Sequence, residues 1–205
     1  MVLTSRDADY FPELQTQTGW GRTLATFAGW CQAQTGWLVL DAGCGPGLLP
    51  ALFTRQGCRA VGLDLDAAMF LPHPLHSQVV CAQAEHLPFE AGSFHLVTAS
   101  NLLFLLPEPL AVLRELKRVT RPGGQIGLLN PSELLNRQAA ENLADARQLD
   151  GLARMSLLNW AARAEGNQRW TEAETGALLA AAGIQLIETT VKVGPGFARF
   201  SRGRV

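Results

Sequence analysis

Charge is scarce in this sequence. Charged residues make up 17% of its 205 positions, against ~25% in a typical globular chain. Disorder along most of the length requires the opposite balance and is excluded. Neither sign is in surplus: 17 basic and 18 acidic residues leave a net charge of −1. A general nucleic-acid binder carries a basic surplus, so that class is excluded. Fifteen of the 17 basic residues are arginine, which reads as composition rather than as a binding patch. Cysteines are few as well. Cys31, Cys44, Cys58 and Cys81 form no CxxC pair, and each lies in or beside an apolar segment. They predict reduced, mostly buried thiols in a cytoplasmic protein. The first eleven residues hold Arg6, Asp7 and Asp9 and no apolar run, which argues against a signal peptide. The apolar stretch 91–107 is broken by Ser93, His95, Thr98, Ser100 and Asn101, so it is too polar to span a bilayer.

What is present is a regular alternation. Leu24, Phe27, Ala28 and Cys31 mark one face of a helix over 21–34. The run 37–40 is short and wholly apolar, as a strand buried on both faces must be. A glycine-rich turn follows, then a helix over 48–56 closed by Gly57. Strands are predicted at 59–64, 77–82 and 94–99. A short helix at 66–71 is ended by Pro72 and Pro74. Leu110, Leu113, Leu116 and Val119 recur every three residues and predict a helix over 107–120. The segment 121–124 (RPGG) reads as its stop, with a fifth strand at 125–130. Helices are predicted over 133–149 and 151–165. Thr171 and Glu174 form a capping box for another, ending at Gly183. Strands at 184–193 and 197–201 close the chain. Strand–helix alternation points to βαβ units and a doubly wound α/β sheet. The three-residue link 194–196 is too short for a crossover, so the last two strands must be antiparallel. No repeat or long linker divides the chain, and residues 1–205 read as one domain.

The chemistry is concentrated in Asp41-Ala42-Gly43-Cys44-Gly45-Pro46-Gly47. Alternating glycines let the chain turn sharply and admit a ligand where a Cβ would stand. In open α/β sheets ligands sit at the carboxyl ends of the strands, near the switch point. A dinucleotide calls for G-x-G-x-x-G, with its pyrophosphate on the helix N-terminus. Here the spacing is G-x-G-x-G, and Leu48 occupies the third small position. Asp41 also places a carboxylate at the mouth of the turn. That suits a cation, such as the ammonium of a methionyl group, better than a pyrophosphate. Asp64 ends the second strand 17 residues after Gly47. It suits a pair of ribose hydroxyls, or alternatively the cap of the short helix that follows.

These residues resemble the class I S-adenosylmethionine (SAM)-dependent methyltransferases, in particular a small-molecule branch similar to the ubiquinone/menaquinone-biosynthesis type. Four blocks carry the likeness in order: VLDAGCGPG, VGLDLDAAM, AQAEHLPFEAGSFHLVTASNLL and LRELKRVTRPGGQIGLLNP. The resemblance implies a Rossmann-like seven-stranded, mostly parallel sheet in the order 3-2-1-4-5-7-6, with strand 7 antiparallel and helices on both faces. It implies SAM as cofactor and S-adenosylhomocysteine (SAH) as product. By position, Asp41, Ala42, Gly43, Cys44, Gly45 and Gly47 would hold the methionyl part. Asp64 would take the ribose, with Leu65 and Met69 beside the adenine. Gln83 and Ala84 follow the third strand; Gln83 stands where relatives often have an acid for the adenine amino group. Asn101 and Leu102 would close over the methionyl end, joined by Tyr10 from N-terminal cap helices over 1–36. Residues 131–170 would face a small-molecule acceptor.

No residue emerges as catalytic. There is no Ser/His/Asp set, metal-ligand spacing or carboxylate pair. His73 and His76 read as loop polarity, His95 as structural, Glu85 and His86 as solvated, and 102–106 as core. Asn130-Pro131 falls after the fifth strand without the second proline and the aromatic of a base-methylating N-P-P-Y motif, so that reading is rejected, and the lack of a basic surplus favours a small acceptor over nucleic acid. Methyl transfer would proceed by in-line displacement, driven mainly by positioning. Two alternatives stay open: a SAM-binding module without catalysis, and an NAD-dependent oxidoreductase. The second lacks a Tyr-x-x-x-Lys site, because Tyr10 is the single tyrosine. The sequence specifies neither the acceptor atom nor the oligomeric state.

Overall fold

A computed structural model describes residues 5–70 and 78–205. Pro72, His73, Pro74 and His76 lie outside the described residues. The strands are β1 (Leu38–Ala42), β2 (Arg59–Asp64), β3 (Gln78–Cys81), β4 (Phe94–Ser100), β5 (Thr120–Pro131), β6 (Gln185–Lys192) and β7 (Ala198–Arg204). They form one sheet in the order β3-β2-β1-β4-β5-β7-β6. The first five are parallel to their neighbours. β7 runs antiparallel to both β5 and β6. This is the topology expected above. The link between β6 and β7 is five residues long rather than three, still too short for a crossover.

Helices α1 (Ser5–Gln17), α2 (Gly19–Trp30), α3 (Leu48–Arg55), α4 (Pro109–Val119), α5 (Arg137–Ala146), α6 (Gly151–Glu165) and α7 (Glu172–Ala181) pack around the sheet. Side chains that alternate along each strand feed two cores. On one face Leu40, Val97 and Leu128 meet Val112, Leu113 and Leu116 of α4 and Leu179 of α7. On the other, Val39, Leu96 and Leu129 meet Phe27 of α2 and Leu49 and Phe53 of α3. Phe27 packs edge-on against Phe200 of β7, with ring centroids 5.1 Å apart. A third cluster joins α5 and α6 through Ala140, Ala161 and Ala164 over Phe197. It forms the layer above the carboxyl ends of the strands.

Several boundaries differ from the sequence expectations, for identifiable reasons. α2 begins earlier because Thr18 stitches two helices. Its hydroxyl donates to the Leu14 carbonyl at 2.6 Å and accepts the Trp20 N–H at 3.1 Å. The RPGG segment does not stop the chain's pairing. β5 already starts at Thr120, opposite Phe94, and a register shift brings Gln125 opposite Leu96. Gly123, at φ +74°, donates to the Val205 carbonyl at 2.7 Å, and Val205 returns a bond to Gly124. The backbone groups of this apparent turn are thus satisfied within the sheet. α5 is shorter than 133–149 because Asn136 caps it, accepting the Ala139 N–H at 2.8 Å. The Ser132 hydroxyl meanwhile holds the preceding residues to the Gly196 carbonyl. The capping box of α7 is present as expected. Cys31, Cys44 and Cys58 are buried, but Cys81 is exposed on β3. Burial pushes the Cys31 and Cys44 thiols far above their ordinary range, which makes them poor nucleophiles.

Candidate functional site

The site begins at the carboxyl end of β1. Gly43, Gly45 and Gly47 have φ of +72°, +52° and +90°, values that only glycine adopts without strain. The N–H groups of Gly43 and Cys44 both donate to the Leu63 carbonyl, at 2.7 and 2.9 Å, and clamp the turn onto β2. Gly62 makes that clamp close. A Cβ there would stand 2.6 Å from Cys44 Sγ and 3.0 Å from Cys44 Cβ. Gly62→Ala is therefore expected to destabilise the fold by about 1–3 kcal/mol, the usual cost of overpacking. Urea unfolding would show the loss; an unchanged midpoint would mean the turn yields freely.

Asp64 is tied to the same turn. One carboxylate oxygen accepts the Gly45 N–H at 2.8 Å, the other the Asp66 N–H at 3.1 Å. Each oxygen keeps a lone pair for an incoming hydroxyl. The cap of the following 3-10 turn is Asp66 and not Asp64, since Asp66 accepts the Ala68 N–H at 2.9 Å. Asp41 is only 2% exposed. Its Oδ1 accepts the Thr98 hydroxyl at 2.7 Å. Burial pushes its carboxyl up to about 7; the Thr98 hydrogen bond opposes the rise and the Asp64 charge adds to it.

These groups open into a cleft of about 900 Å³. Its walls come from α1, α2, the β1 turn, the ends of β2 and β4, the α5–α6 layer and the β6–β7 hairpin. Tyr10, Asp41, Gly43, Cys44, Gly45, Asp64, Met69, Asn101 and Leu102 all line it. Leu102 packs on Gly43, where a Cβ would come within 3.1 Å. Ala42, Gly47, Leu65, Gln83 and Ala84 are not among the lining residues. Ala42 lies in the core, Gly47 opens α3, and Leu65 is 64% exposed. Gln83 is exposed and Ala84 buried beyond β3. Phe104 is buried as expected, whereas Leu105 is exposed; both line the cleft. His95 is structural: its Nδ1 accepts the Leu38 N–H at 3.2 Å and its ring stacks on Trp37.

Sequence reasoning missed two features, the Gln15 side chain and the tie between the expected Asn101 and Trp160. Gln15, on α1, lines the cleft and keeps a buried Oε1 with no hydrogen-bond partner among the described residues. Its Nε2 reaches within 4.0 Å of where a Gly45 Cβ would be. Asn101, at φ +54°, accepts the Trp160 Nε1–H at 3.2 Å and links β4 to α6. Trp160 in turn leans on Trp20, with ring centroids 5.5 Å apart. α1 carries Pro12 and is polar overall, so no apolar period announced Gln15.

The strand order and the pinned glycine turn define a Rossmann-like fold of the class I methyltransferase type. Comparison with known proteins agrees. Residues 40–128 match the family described as "Methyltransferase domain". The chain is 34% identical over 96 residues to the ubiquinone biosynthesis O-methyltransferase of Sodalis glossinidius (strain morsitans), covering 43% of this chain and 39% of that protein. The chain thus spans well under half the length of that relative. Among solved structures, one chain of the complex between the Haloferax volcanii Trm112 methyltransferase activator and a methyltransferase matches with a TM-score of 0.67 at 17% identity, covering 100% of this chain and 99% of that one. Magnesium protoporphyrin IX methyltransferase from Synechocystis PCC 6803, with bound SAH, matches at 0.64 and 16% identity, covering 100% and 89%. Residues 40–128 thus match a methyltransferase domain, and the whole chain shares the fold of these solved methyltransferases.

Proposed function

We propose that this chain is a single-domain SAM-dependent methyltransferase acting on a small-molecule acceptor. The observation that carries the reading is the Asp64 carboxylate. It is fixed by Gly45 and Asp66, lies in the same cleft as Asp41, and keeps acceptor capacity on both oxygens. Asp64 would hold the two ribose hydroxyls of SAM, and Met69 would stand beside its adenine. Asp41 and the orphaned Gln15 Oε1 offer two acceptors to the methionyl ammonium. A buried acceptor left without a donor is costly, so a ligand that supplies one is favoured. The group supplies, when bound, a sulfonium methyl already activated toward nucleophiles. The chain's own work is to orient the acceptor and exclude water, which can lower a barrier by up to ~7–11 kcal/mol. No histidine lines the cleft among the described residues, and no side chain is assigned as general base.

Residues 131–170, with α1 and α2, enclose the acceptor. No described helix is long and apolar enough to cross a membrane, and the buried free thiols suit a reducing cytoplasm. Calorimetry with SAM, SAH and NADH tests the reading. SAM and SAH should bind and NADH should not; binding of NADH alone would establish the oxidoreductase instead. SAM binding with no label transferred from methyl-labelled SAM across a broad acceptor panel would favour the non-catalytic module.

A further inference from the structure

The arginine content reads as overall composition, yet the fold does not spread its charges evenly over the cleft. The acids that line it are Asp41, Asp64 and Asp66, all at the ends of β1 and β2. The cations that line it are Arg22 on α2, Arg147 just past α5, Arg163 on α6 and Lys192 at the end of β6. The described ion pairs engage Arg118, Arg137, Arg154, Arg199 and Arg202, and none of these four. Four elements distant in sequence thus bring like charges to one cleft without a carboxylate partner among the described residues. Between them the wall is apolar and aromatic, with Trp160 one helical turn before Arg163 and Leu143 one turn before Arg147.

We infer that the acceptor half of the cleft binds an apolar, ring-sized molecule bearing an anionic head group, carboxylate or sulfonate in type. This rests on the reading above and names its substrate class. Cations gathered on cleft elements other than the β1 and β2 ends, where the acids lie, raise the local concentration of anionic ligands. Arginine also forks onto an anionic oxygen pair while its neighbour Trp160 takes the apolar body. The four cations are solvent-exposed, so their pull is screened by salt and fades as ionic strength rises.

A paired-dye titration tests the inference on the full chain, with and without SAH. The probes are anilinonaphthalene sulfonate and the neutral phenylnaphthylamine of the same ring system, followed by fluorescence at low and high salt. The sulfonate should bind more tightly than the neutral dye, and its affinity should fall with salt. The double variant Arg147→Gln, Arg163→Gln should weaken the sulfonate about tenfold, as loss of a charge-assisted hydrogen bond does. Neutral-dye and SAH affinities should not change. Equal loss of both dyes, or no loss of either, would overturn the inference. Failure of SAH to bind the unmodified chain would instead remove the cofactor reading, and the dye comparison would still decide the charge question.

Discussion

Asp64→Ala should weaken SAH binding by about a hundredfold or more, because two hydrogen bonds to a charged acceptor are lost at ~1.5–3 kcal/mol each. The effect is compound. The same carboxylate accepts the Gly45 and Asp66 N–H groups, so its removal also loosens the glycine turn. Asp64→Asn separates the two contributions. Its amide oxygen still accepts one bond, but its NH2 now faces a backbone donor, so the loss should lie between the parent and the alanine variant. Calorimetry with SAH reads the affinity and thermal unfolding reads the turn. An alanine variant that binds SAH within a few-fold of the parent would mean that Asp64 serves only the loop.

The second large effect is a pH dependence set by Asp41. Its carboxyl is raised from an ordinary 3.8 to about 7 in the free protein, chiefly by burial. Below that pH the group is neutral and offers little to an ammonium. A cation bound beside it favours the carboxylate, so binding releases a proton. SAH affinity should therefore fall by up to about tenfold for each pH unit below 7 and level off above it, as one linked proton requires. The stability of the unliganded chain has the opposite sign. A raised folded-state value means that the neutral form stabilises fully below 3.8 and that this contribution is lost as pH rises through about 7. Ligand and proton thus compete for the same carboxyl. Asp41→Asn should flatten both profiles while leaving the Thr98 hydroxyl an oxygen to donate to. SAH titrations across this range in two buffers of different ionisation enthalpy would count the proton. A level profile in the parent, or the same slope in the variant, would contradict the assignment.

The central half of the molecule was open to reading because each local signal had a single outcome. The run 37–40 could be satisfied only by a strand buried on both faces. The alternating glycines at 43, 45 and 47 signalled a tight turn, and they take the left-handed φ such a turn needs. The short β6–β7 link could only reverse direction. The site was less open wherever a residue's role depends on tertiary placement. Asp64 could be read as a ribose acceptor or as a helix cap, and only the Asp66–Ala68 bond separates these roles. Gln83 sits correctly in the order of blocks but is not among the residues that line the cleft. Gln15 belongs to a polar helix whose buried side is recognised only from what it covers. The cationic residues are scattered from 22 to 192, and no window of sequence could have gathered them.

The position of β7 also governs the order in which the sheet can be assembled. β6 is synthesised before β7, yet it touches the sheet only through β7, which lies between it and β5. A nascent chain that has emerged only as far as Lys192 therefore presents β5 with a bare edge, while β6 has nothing to pair with. The sheet is complete only once residues 198–204 pair with β5 on one side and β6 on the other. Without that pairing, the hairpin wall bearing Lys192, Val193 and Gly194 would be missing from the cleft.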